Sequence, residues 1–316
     1  MTATLESAPR QPVRLIFIHH SSGANWLADG NGGLGKALAE NHYFVSDTNY
    51  GWGPNRIGDR TDIGHWWEWF LSPQRSPEYL QALFNESGQC ASYSRLSAPP
   101  AGENEVILFK SCYPNSTLRG DPNAPVPAVE RNPIRGHKAP TAPPSGNARR
   151  YLMYKAKSVI KQILGRNKNE AAYTVANAKG IYIELLKAFQ KHPKKLFVVV
   201  TAPPLRFSSV AENARAFNSW LANEWLANYP LKNVAVFDFY NVLTSNAGAS
   251  DASDLGQAQG NHHRLWEGRV QHQVGSPSNH LAYPTVDDHA NKTGNQKATG
   301  EFTPLLNHYY NLWKTS

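Results

Sequence analysis

Residues 13–23 read Val-Arg-Leu-Ile-Phe-Ile-His-His-Ser-Ser-Gly. The first six, Val13–Ile18, form an apolar run of strand length. The run stops at His19, His20, Ser21, Ser22 and Gly23. Just downstream, residues 33–41 carry Leu34, Ala37 and Leu38 at helical spacing, and a short strand, 43–46, follows. Asn49-Tyr50-Gly51-Trp52-Gly53-Pro54 then breaks regular structure. A strand, a turn, a helix and a second strand in this order open a parallel sheet.

Further out, the alternation continues. Residues 105–110 (Glu-Val-Ile-Leu-Phe-Lys) read as a buried strand that ends at Ser111-Cys112-Tyr113-Pro114-Asn115-Ser116. Residues 169–190 form a long amphipathic helix with Val175, Ala178, Ile181, Leu185 and Phe189 on its apolar face. The strand Leu196–Val200, a helix over 213–229 and the strand Val234–Phe237 complete the series. Right-handed crossovers then give one α/β domain over residues 1–316, a three-layer α/β/α sandwich on a mainly parallel, five-stranded sheet of flavodoxin-like type. Irregular insertions are expected at about 60–100, 118–169 and 245–284.

Composition fits this reading. Apolar residues make up 41% and charged residues 18% of the 316, enough for a packed core. No stretch of 18 or more apolar residues is present, so no membrane span is expected. Residues 1–14 lack a basic-then-apolar secretory layout, which leaves a cytoplasmic or a processed secreted form open. The two cysteines, Cys90 and Cys112, are no disulfide framework, and whether they pair stays open. Much of the net charge of +8 falls between Arg119 and Lys168. That run is a solvated basic surface or an attraction for an acidic partner; no nucleic-acid-binding motif accompanies it.

Ligands of such sheets bind beyond the carboxyl ends of the strands. The loop after the first strand offers Ser21 as a nucleophile, the next offers glycine amides, and the third offers the Asn115 side-chain amide as a donor to an oxyanion. Near the end, Thr285-Val286-Asp287-Asp288-His289-Ala290-Asn291 supplies what serine lacks, a base beside a carboxylate.

These blocks, in this order, resemble the SGNH (GDSL-type) hydrolases. The resemblance places Ser21 at the nucleophile, Gly51 (Gly53 second) and Asn115 at the oxyanion, and Asp287-Asp288-His289-Ala290-Asn291 at the family's closing Asp-x-x-His-Pro-Asn block. Residues 195–204 and 236–240 are similar to the family's later strands. It implies a cofactor-free esterase acting through an acyl-serine on a small-molecule or carbohydrate ester, for instance an O-acetyl group. The sequence departs from the pattern in two places. His19-His20 replaces the usual Gly-Asp, and the family acid position falls on Val286, which cannot serve. Asp287 is the first choice of acid and Asp288 the second; a backbone carbonyl orienting the histidine would leave a dyad.

Two other classes fit the residues. His19, His20, His262, His263, His272, His280, Asp287, Asp288 and His289 could ligate zinc, manganese or iron in a metallohydrolase, although no His-Glu-x-x-His spacing is present. A catalytically silent carbohydrate-binding protein on the same fold is the other. Trp52, Trp66, Trp67 and Trp69 would be its stacking platform if exposed, or plain core if not. The oligomeric state is not legible.

Overall fold

Every residue of Val13–Ile18 is buried, Arg14 included, because this first strand, β1, lies inside the sheet. The structure is a computed structural model that describes residues 6–141, 152–153 and 168–316. Around β1 lie β2 (Tyr43–Thr48), β3 (Val106–Lys110), β4 (Leu196–Val200) and β5 (Val234–Phe237), in the order β2-β1-β3-β4-β5. All neighbours run parallel. The helices α1 (Ser21–Leu27), α2 (Leu34–Glu40), α3 (Ser76–Asn85), α4 (Val175–Gln190), α5 (Ala211–Asn223) and α6 (Lys292–Lys314) cover both faces, giving the three-layer, flavodoxin-like α/β/α architecture.

Successive side chains of a strand point to opposite faces, and the opening run divides accordingly. Val13, Leu15 and Phe17 pack with Trp26 and Leu27 of α1, Leu34 and Leu38 of α2, and Phe302 and Leu306 of α6. Ile16 and Ile18 pack with Leu83 of α3, Ile181 and Leu185 of α4, and Phe217 of α5. From β1 the chain crosses to β2 on one side and later returns to β3 on the other. The crevice beyond the carboxyl ends of β1 and β3 is therefore the topological switch point, where ligands of open α/β sheets bind.

Several boundaries differ from the sequence reading, each for a local reason. The helix expected over 169–190 is broken before Val175, because Thr174 is extended (φ −108°, ψ 160°) and its hydroxyl accepts the Asn177 N–H to cap α4. The helix expected over 213–229 is Ala211–Asn223. The short helix directly after β1 was not foreseen; it starts at Ser21 with His20 as N-cap. The 245–284 insertion contains an antiparallel hairpin, β6 (Asn261–Trp266) and β7 (Arg269–Val274). Two histidine–carboxylate pairs bind it to the body, both at 2.8 Å: His262 to Glu301 of α6, fully buried, and the partly buried His272 to the buried Asp238.

The aromatic-rich stretch within the 60–100 insertion is core. Trp66 and Trp69 are fully buried, Trp66 lies edge-on to Phe109 at 5.0 Å, and Trp52 stacks on Trp69 at 6.0 Å. Trp67 is half-buried beneath the Arg135 guanidinium. A tryptophan stacking platform is thus not what this segment builds. Of the basic run, Arg149, Arg150, Lys155, Lys157, Lys161 and Arg166 lie outside the described residues. Among the described residues, no helix is long and apolar enough to cross a membrane.

Candidate active site

The strand–helix junction at residue 21 sets the position of the first side chain. β1 ends at Ile18, His19 is buried beneath the junction, and α1 begins at Ser21. Close docking of α1 on His19 requires Gly23, since a Cβ there would stand 2.3 Å from the His19 Cβ. Ser21 is left half-exposed at the mouth of the crevice, whereas Ser22 is buried with its hydroxyl 3.0 Å from the Cys112 sulfur. Ser22 is thus turned inward. Cys90 and Cys112 are both free thiols and do not pair.

His289 comes to Ser21 from the other end of the chain. Ser21 Oγ and His289 Nε2 are 2.8 Å apart, across 268 residues of sequence. His289 Nδ1 lies 2.9 Å from Asp287 Oδ1, and the same oxygen accepts the His289 backbone N–H at 2.9 Å and the Thr285 hydroxyl at 2.8 Å. With Asp287 accepting at Nδ1–H, Nε2 is free to accept from the serine. Burial pushes the Asp287 carboxyl up, but hydrogen bonds from the His289 backbone, Thr285 and the His289 ring outweigh it and hold the group below its ordinary range. Asp288 points elsewhere: it is buried and accepts the Arg206 backbone N–H at 2.9 Å. Tyr113 stands edge-on to the His289 ring at 5.2 Å.

The two residues expected at the oxyanion are placed differently. Asn115 is 1% exposed. Its amide nitrogen donates to Asp62 at 2.7 Å and to the Cys112 carbonyl at 3.1 Å, using both hydrogens. Its oxygen accepts from the Ile63 N–H and the Tyr173 hydroxyl. Asn115 thus ties the loop after β3 to residues 62–63 and to Tyr173. The Gly51 N–H donates to Asp59 at 2.7 Å. Both groups are brought to the crevice end of the sheet with their donors engaged inside the protein, and neither is free to meet a substrate oxygen in this arrangement. Asp59 and Asp62 lie in a stretch whose contacts no sequence pattern announces.

His19 and His20 have distinct places. The two ring nitrogens of His19 face the His20 carbonyl at 2.8 Å and the Asp47 carboxylate at 3.2 Å. His20 Nε2 donates to the Gly58 carbonyl at 2.7 Å, so Nδ1 accepts from the Thr61 hydroxyl at 3.0 Å. Burial, above all, holds His20 below the usual imidazole range and keeps it neutral. Its ring forms the seat of Tyr50, which stacks on it at a centroid distance of 4.0 Å and 23° between planes. Tyr50 is exposed and lies against the residue that immediately precedes Ser21. No motif marks Tyr50; its only signal is adjacency to Gly51.

Of the histidines considered as metal ligands, His263 and His272 are neighbours beside Asp238, with ring centroids 5.1 Å apart, and the others have separate partners. His262 bridges Glu301 and the Gln259 carbonyl, His263 accepts the Asp238 N–H at 2.7 Å, and His280 lies 3.3 Å from the Ser208 carbonyl. Among the described residues, no group of three or more His, Cys, Asp or Glu side chains is arranged to hold a metal ion. Compared with protein-family models, curated proteins and solved structures, the chain finds no significant match.

Proposed function

We propose that the chain is a serine hydrolase of the SGNH type that cleaves a carboxylic ester through an acyl-serine. The observation that carries this reading is the unbroken chain Ser21 Oγ–His289 Nε2, 2.8 Å, and His289 Nδ1–Asp287 Oδ1, 2.9 Å, at the switch point of a parallel sheet. Residues so distant in sequence are seldom aligned in this order for stability alone, and Asp287 and Ser21 are not buried groups in need of partners.

In the mechanism this supports, Ser21 Oγ bonds to the ester carbonyl carbon as its proton passes to His289 Nε2. The carbonyl π electrons move onto oxygen, and Asp287 holds the imidazolium by its Nδ1–H. The Ser21 N–H, first amide of α1 and without an acceptor inside the helix, is one donor to that oxygen. Collapse expels the alkoxide, which takes the proton from Nε2. Water, deprotonated by His289, then releases the acid. The substrate is a small-molecule or carbohydrate ester. With Trp66 and Trp69 in the core, the sugar end of this proposal rests on two aromatic groups beside the site, Tyr50 and Tyr113.

Hydrolysis of p-nitrophenyl acetate tests the reading. Ser21→Ala and His289→Ala are each expected to lower kcat/KM by about 10³-fold or more, and EDTA is expected to change nothing. Full activity in Ser21→Ala, or loss with EDTA, contradicts it.

A further inference from the structure

The proposed hydrolase lacks two donors it should have. The Gly51 N–H is engaged by Asp59 and both Asn115 amide hydrogens are engaged by Asp62 and the Cys112 carbonyl. An oxyanion held by the Ser21 amide alone would forgo most of the stabilisation such a site provides. The loop after β2 nevertheless reaches the residue beside the nucleophile, through a side chain. Tyr50, 63% exposed, lies flat on His20, the residue immediately before Ser21.

We infer that the Tyr50 hydroxyl is an oxyanion donor, taking the place of the glycine amide one residue further on. The inference rests on the serine-hydrolase reading. Three features favour it. First, the ring is fixed before substrate arrives: it stacks on His20, and His20 is itself held at both nitrogens by Gly58 and Thr61. A donor fixed in this way need not reorganise as charge develops. Second, the phenol is kept protonated. Burial, then the neighbouring Cys112, Asp62 and Asp59, raise it above the ordinary tyrosine range. Third, the His19-His20 replacement acquires a use: His19 supports the start of α1, and His20 is the seat that an Asp at that position would not supply. In the reaction Tyr50 transfers no proton. Ser21 Oγ forms its bond to carbon, the displaced electron pair settles on the carbonyl oxygen, and the Tyr50 O–H donates a hydrogen bond to it until the leaving group departs.

Tyr50→Phe removes only the hydroxyl and keeps the ring on His20, and at an exposed position it should leave folding unchanged. Two measurements on the full chain separate this inference from the reading beneath it. The end-point burst of p-nitrophenol from diethyl p-nitrophenyl phosphate counts nucleophilic Ser21; steady-state hydrolysis of p-nitrophenyl acetate measures the transition state. The expected result is a burst near one equivalent in both proteins, with kcat lowered about 100-fold in Tyr50→Phe and KM little changed. Equal bursts with kcat within about threefold of wild type would overturn the Tyr50 role and leave the hydrolase reading standing; so would a rise in KM at constant kcat, the mark of a plain substrate contact. No burst in wild type would overturn both.

Discussion

Asp287 and Asp288 are neighbours in sequence and serve different partners in space. Asp287 takes the imidazole of His289, and Asp288 takes the Arg206 N–H. Asp287→Asn is therefore expected to lower kcat by about two to four powers of ten, because the amide can pair with the wrong tautomer of His289. Asp288→Asn retains an acceptor for Arg206 and is expected to stay near wild type; equal losses in the two variants would contradict the assignment. Ser21, Asp287 and His289 could be located by sequence reading because each follows a recognisable strand or precedes a recognisable helix. The direction in which Gly51 and Asn115 spend their hydrogens could not, since it depends on Asp59 and Asp62, carboxylates whose contacts form only on folding. The stacking of Tyr50 on His20, on which its proposed role rests, was not legible for a different reason: it leaves no spacing to read.

At the scale of elements, the strands were plain and the helix ends less so. A strand buried on both faces is written as a continuous apolar run, which is why Val13–Ile18, Leu196–Val200 and Val234–Phe237 were found with the right bounds. Helix ends were misjudged where a single side chain decides them, as Thr174 does for α4. The hairpin of β6 and β7 was lost in a polar sequence because its anchoring comes from histidine–carboxylate pairs rather than from an apolar stripe. β3 ends in an odd residue, Lys110, which is 1% exposed and has the Ser111 carbonyl at 3.3 Å as its hydrogen-bond acceptor. Burial pushes its amine from 10.5 down to about 8, a cost on the order of 3 kcal/mol at neutral pH. The folded state sheds this proton near pH 8 and the unfolded chain near 10.5, so the unfolded state binds more protons in that window and stability contributed by this group rises with pH across it. Lys110→Met should be more stable than wild type to urea at pH 7, by on the order of 1–3 kcal/mol, with the advantage shrinking as pH rises from 8 toward 10.5. An advantage that is flat or grows with pH would show that the lysine is not penalised by burial.

For the whole molecule, topology does the assembling. The order β2-β1-β3-β4-β5 opens a crevice between the ends of β1 and β3, and the chain delivers Ser21 from its first strand and His289 from the loop before its last helix to that one place. The succession of strands and helices was enough to predict this sheet, because alternation with right-handed crossovers admits few arrangements. The docking of the insertions was not, because their contacts are long-range and polar. The central claim is that Ser21 is a nucleophile activated by His289, and intact-mass analysis after treatment with a fluorophosphonate, followed by peptide mapping, tests it most directly. The account predicts one adduct, on Ser21, absent in Ser21→Ala and much slower to form in His289→Ala. An unmodified protein, or an adduct on any other residue with Ser21 untouched, would contradict it.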